Sequence, residues 1–228
     1  HVALLAGRVA AARGEEEGSS WRHPVDLVGM AKDLESNLPK LLEERENLPT
    51  TDENANETQI REVASRLLPV LLGDDGPAVL RVIRDGLADG IPPTTVSTVI
   101  AYAAGLRLAR FSSSNDVGDW FSVQHTFIFA NAVDCTARRN PTDRTVTAIV
   151  QAALAVHADR FLNVPPAKLP GEQDVLDDLP TDSQELLTRL LDAMDRRSQP
   201  GEADTLAVRY LRVGGSVDRL IDTLMFMI

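Results

Sequence analysis

The stretch Asn115-Asp-Val-Gly-Asp-Trp-Phe-Ser-Val-Gln-His-Thr-Phe-Ile-Phe-Ala-Asn-Ala132 passes from a polar loop straight into an apolar segment rich in small residues. Asp119 offers the side-chain acceptor of a helix N-cap. Apolar residues then recur at three- and four-residue intervals as far as Arg138, the period of a helix with one buried face. His125 and Asn131 stand inside that pattern. His125 shares a face with Phe121, Ile128, Phe129 and Ala132, because three- and four-residue offsets stack on one side of a helix, so it is expected to point inward.

The same period continues in both directions. Helices are expected over roughly 57–72, 77–88, 94–111 and 119–138, separated by Gly73-Asp-Asp-Gly76, Gly90-Ile-Pro-Pro93 and the loop from Ser112 to Gly118. A long helix should start in Asn140-Pro-Thr-Asp143 and reach about Asn163, where Pro165-Pro-Ala-Lys-Leu-Pro170 stops it, since consecutive prolines cannot continue a helix. Further helical segments are expected over 1–13, 25–36 and 39–47, and downstream over 182–197, 202–213 and 216 to the end, with Gly214-Gly215 between the last two. Alternation of the strand type is almost absent. The fold class is therefore all-α, a bundle of antiparallel helices, about nine or ten in number. Residues 1–228 are expected to form a single helical domain, with a mobile loop near 48–56 and a point of subdivision near 164–180. The chain opens on His1 rather than Met and stops after Met227-Ile228 without a cap, so a fragment of a longer protein is expected.

Composition narrows the function. With 34 acidic against 23 basic residues the net charge is -11, which disfavours nucleic acid and anionic membrane surfaces as partners. The single cysteine, Cys135, excludes an intrachain disulfide framework, CxxC redox chemistry and cysteine-rich zinc or iron–sulfur sites in this segment. A reducing, cytoplasmic setting fits best. No run approaches the roughly 18 consecutive apolar residues of a membrane span.

Chemistry, if present, is expected at the histidines. His157 lies among Val150, Ala153, Leu154 and Phe161 on another apolar face, and the interval from His125 is about what two antiparallel helices with a short turn need to place their middles side by side. Each imidazole has two readings. One is a core histidine hydrogen-bonded to a carbonyl or to Asn131. The other is a metal or haem ligand or a general base, since imidazole is the commonest ligand and titrates near neutrality. In the second reading Asn131 orients substrate or water, Asp119 lies near the pocket, and His1, at the head of an apolar helix, is a candidate third ligand. His23, beside Trp21 and Pro24, reads as surface or loop packing. Cys135 reads as an inert buried thiol, and Arg107, Arg110 and Arg160 as partners of carboxylates. A ferritin-like di-iron site wants Glu-x-x-His, whereas Ser122 and Leu154 stand three residues before the two histidines. The His-Glu-x-x-His, phosphate-loop, dinucleotide and nucleophile-elbow motifs are also absent.

The runs Ala109-Arg-Phe111, Asn115-Asp-Val-Gly-Asp-Trp120, His125-Thr-Phe127, Ala130-Asn-Ala132 and His157-Ala-Asp-Arg-Phe-Leu-Asn-Val-Pro-Pro166 resemble the helical domain that precedes a Rieske-type ferredoxin domain in certain actinobacterial proteins. More distantly, they look like the questin-oxidase-like helical proteins. The resemblance covers about residues 77–170. It implies an oxidoreductase or oxygenase acting on a small organic substrate, with a 2Fe–2S domain in cis delivering electrons to a histidine-bearing helical domain that holds iron or haem through His125, His157 and His1. The two cysteines and two histidines of a Rieske site are absent here, so the cluster would belong to a missing C-terminal part. The competing expectation is a noncatalytic helical binding or oligomerisation module, such as a homo-oligomer, with structural histidines.

Overall fold

The computed structural model describes residues 57–226 apart from 113, 141, 163–165, 170–175 and 196–199, together with a few isolated helical residues between 29 and 39. Among the described residues there are eight α-helices, two 3-10 turns and no strand, so the protein is all-helical. Eight is fewer than the nine or ten expected, and the segments expected over 1–13, 25–36 and 39–47, like the loop near 48–56, fall outside the described residues except at those isolated positions. The chain divides into two compact units between Pro166 and Ala167.

The first unit contains α1 (Glu57–Leu71), α2 (Gly76–Ala88), α3 (Pro93–Ala109), α4 (Val117–Arg139), α5 (Asp143–Ala158) and the 3-10 turn Asp159–Leu162. Several helices begin where a side chain can satisfy an orphan backbone N–H. Asp75 accepts from the Ala78 N–H at 3.0 Å, and Thr142 and Thr145 cap one another's backbone at the start of α5. In α4 the cap is Asp116, which accepts from the Asp119 N–H at 2.9 Å, not Asp119 as expected. Asp119 instead occupies the first turn, where a carboxylate complements the positive end of the helix dipole. The α5 helix ends at Ala158, short of Asn163, and tightens into the 3-10 turn.

The α3 helix is central. Its Val96, Val99, Ile100, Ala103 and Ala104 are buried, and it packs against α1, α4 and α5. Phe111, just after α3, meets Trp120 in the first turn of α4 edge-on at 4.9 Å, while Thr98 near the start of α3 donates to Asp134 near the end of α4 at 3.0 Å. These two ties make α3 and α4 antiparallel. Asn115 Nδ2 donates to the Leu162 carbonyl at 3.1 Å, holding the loop before α4 to the turn after α5.

The second unit contains the turn Leu176–Asp178 and helices α6 (Ser183–Asp195), α7 (Pro200–Arg212) and α8 (Val217–Met225). Leu186, Leu187, Leu190, Leu206, Tyr210 and Leu220 form its core. Gly214 takes φ +84, the left-handed conformation that ends many helices, and a Cβ at Gly215 would collide with the Tyr210 ring. Both glycines are thus required by the α7–α8 corner.

Candidate functional site

The α4 helix has two apolar faces of different character. Val123, Ala130, Val133 and Ala137 are buried, with Phe127 packed against the core. The other face carries Val117, Phe121 and Ile128, which are 68%, 56% and 60% exposed, with Phe129, Ala132 and Cys135 also exposed. On the core side the Phe127 ring lies against Gly105 of α3, where an added Cβ would stand 3.5 Å from it, an ordinary packing contact.

His125 follows the larger residues outward. It is exposed and stacks on Phe121 with ring centroids 6.4 Å apart. The expectation that it points inward is therefore corrected. Asn131 is exposed as well, and Cys135 is an exposed thiol rather than a buried one. The polar group that α4 does turn inward is Asp134. It accepts from Ser97 Oγ at 2.7 Å and from Thr98 Oγ1 at 3.0 Å, and Arg138 Nε donates to it at 3.0 Å. Sequence reasoning passed over this inter-helix clamp, although Ser97 and Thr98 on one helix and an Asp–Arg pair at four-residue spacing on the next were its visible signal.

His157 has the opposite environment. It is 1% exposed on α5, and its Nδ1 finds no hydrogen-bond partner among the described residues. Burial, with the Arg160 and Arg107 guanidiniums adding to it, holds its pKa down to about 4. The imidazole is neutral at pH 7. Arg107 reaches from α3 to donate from Nε to the Val156 carbonyl at 2.6 Å and from Nη2 to the Leu71 carbonyl at 3.4 Å. Burial lowers Arg107 to about 10, against the attraction of Asp159. Arg160 donates to the His157 carbonyl at 3.0 Å, lies 3.8 Å from Asp74 and sits 3.9 Å over the Phe161 ring.

The chain direction explains this cluster. The ends of α1, α3 and α5 meet at one end of the unit, and the unpaired carbonyls there give it negative dipole character. Arg107 and Arg160 supply donors and positive charge to those carbonyls. The expectation of carboxylate pairing thus holds for Arg160 with Asp74, whereas the hydrogen bonds of Arg107 go to main-chain carbonyls.

His125 and His157 do not share surroundings, one standing on a solvent face and the other inside the core. His1 and His23 lie outside the described residues. Among the described residues no group of three or more His, Cys, Asp and Glu is placed to hold a metal ion, and no helix is long and apolar enough to cross a membrane. In comparisons with known proteins, no family model, no curated protein and no solved structure matches the chain.

Proposed function

We propose that this chain is a helical binding or oligomerisation module that docks through the outward face of α4, with His157 serving the fold. The observation that carries this reading is the exposure of Val117, Phe121 and Ile128 along one side of a helix whose other side already completes the core. A contiguous apolar patch on a folded surface marks a contact site more often than chance. The test is the pair of variants Phe121→Glu and Ile128→Glu in the full chain. Both should keep the helical circular dichroism and the melting temperature, because the face is not part of the core. Loss of the fold in both would remove the reading.

The oxidoreductase reading is retained as a second proposal on one observation, the buried Nδ1 of His157, which has no partner among the described residues, on a neutral imidazole, the protonation state that ligates iron or haem. Its surroundings fit a cation poorly, since two guanidiniums stand nearby and repel positive charge. This reading needs His1 or residues elsewhere to complete the ligand set, with the 2Fe–2S domain in cis and a small organic substrate. Bound iron or haem would supply electron transfer and oxygen chemistry. Metal analysis and an absorption spectrum of the purified protein test it: iron or a Soret band lost in His157→Ala supports it, and metal-free, colourless protein removes it.

A further inference from the structure

We infer that α8 of the second unit is a docking face for a basic amphipathic helix of a partner protein, which lays apolar side chains on Val217, Ile221 and Met225 and sets lysine or arginine beside Asp218 and Asp222. The inference is independent of the reading of α4.

The core of the second unit uses only part of α8. Leu220 is buried and Leu224 packs against that core, whereas Val217, Ile221 and Met225 are 58%, 50% and 63% exposed. At about 100° per residue these side chains form one apolar arc roughly 140° wide, which runs from Leu220 through Leu224, Val217 and Ile221 to Met225. The exposed share is about 80° of it. Because Val217, Ile221 and Met225 follow one another at four-residue steps, they stack into a single row along the helix. Ser216 fixes where the row begins, since its hydroxyl accepts from the Arg219 N–H at 3.4 Å and caps α8.

Charge beside the row selects the occupant. Asp218 and Asp222 border it on its outer side, one turn apart; both are exposed, and neither has an ion pair or a side-chain hydrogen bond among the described residues. Asp218 has a reason within the fold, because a carboxylate in the first turn complements the positive end of the helix dipole. Asp222 has none. It stands in the last turn, where the dipole disfavours a carboxylate and no basic residue accompanies it. Arg219, the cation of α8, lies about 200° round the helix from Val217 and donates to Gln184 of α6, so it does not serve the row. A partner helix with apolar side chains at four-residue steps and Lys or Arg in the adjoining row satisfies both features. The net charge of -11 attracts such a partner and repels an acidic one or an anionic membrane. A second copy is disfavoured by the same residues, since a two-fold axis at Ile221 brings both Asp222 side chains to one apolar contact.

Fluorescence anisotropy of a labelled synthetic amphipathic helix of leucine and lysine, titrated with the full chain, tests the inference. Saturable binding is expected, weakened at least about tenfold by Ile221→Gln and, separately, by Asp218→Asn with Asp222→Asn. Asp177→Asn with Asp178→Asn removes the same charge from other exposed positions of this unit and should weaken binding by less than about threefold. Helical circular dichroism should persist in each variant, and Met225→Gln, at the end of α8, repeats the apolar test where the fold has least to lose. No binding, equal weakening by the Asp177 and Asp178 pair, or binding indifferent to both Ile221→Gln and Met225→Gln overturns the inference. So does a dimer in sedimentation, or flotation with phosphatidylcholine vesicles, that Ile221→Gln abolishes, because the row then belongs to a second copy or to lipid. Unfolding by both Ile221→Gln and Met225→Gln shows the row to be core and overturns it as well.

Discussion

Arg107 on α3 donates from Nε to the main-chain carbonyl of Val156 on α5 at 2.6 Å, so a largely buried guanidinium closes the end of a neighbouring helix. Its second donor reaches the last residue of α1. Replacing Arg107 by Met removes both bonds and leaves carbonyls unpaired, so a loss of about 2–4 kcal/mol is expected in urea unfolding. Arg107→Lys should recover less than half of it, because one ammonium cannot reproduce a planar fork that spans two carbonyls.

His157 makes stability depend on pH. Its folded pKa of about 4 lies below the ordinary 6.5, so folding favours the neutral form. The associated stability is complete above pH 6.5 and is lost as pH falls towards 4, up to roughly 3 kcal/mol. Urea unfolding of wild type and His157→Gln at a series of pH values should show the wild type falling more steeply over that interval. Parallel curves would refute the assignment.

Asp134 holds α3 to α4 through Ser97 and Thr98. Asp134→Ala should cost about 1–3 kcal/mol, since Arg138 loses its carboxylate and the two hydroxyls keep only the Thr94 carbonyl as acceptor. Ser97→Ala should cost less, about 0.5–1.5 kcal/mol, because the carboxylate keeps its other donors.

The two faces of α4 should respond oppositely to substitution. Ala130→Leu inserts volume where α4 packs closely and should destabilise by about 1–3 kcal/mol or more. Ile128→Gln removes a larger apolar group from an exposed position and should change stability by less than about 0.5 kcal/mol, measured at low protein concentration so that self-association does not contribute.

Gly215 lies against the Tyr210 ring with no room for a Cβ. Gly215→Ala should therefore displace a fully buried tyrosine and lower the melting temperature of the second unit, with a loss of about 1–3 kcal/mol.

The helical class and the sites of its punctuation were legible because Gly, Pro and Asx residues end helices for local reasons, as at Asp75 and Gly214. The orientation of α4 was not. Periodicity identifies an apolar face but not which of two is buried, and the choice becomes visible only once α4 is packed against α3 and α5, with Val123, Ala130, Val133 and Ala137 turned in. His157 was legible as a buried imidazole. The arrival of Arg107 beside Val156 depends on three helix ends meeting, which no local pattern announces.

The outward row of α4 separates two pressures that usually act together. Where a large side chain is buried, selection for folding alone is enough to preserve it. Phe121 and Ile128 have no such protection, since a polar residue at either position leaves the interior untouched. Among descendants of this sequence, a chain held only to foldability would lose them quickly while keeping the alanines behind them. Persistence of an aromatic at 121 and an aliphatic at 128 would record a demand that comes from outside the single molecule.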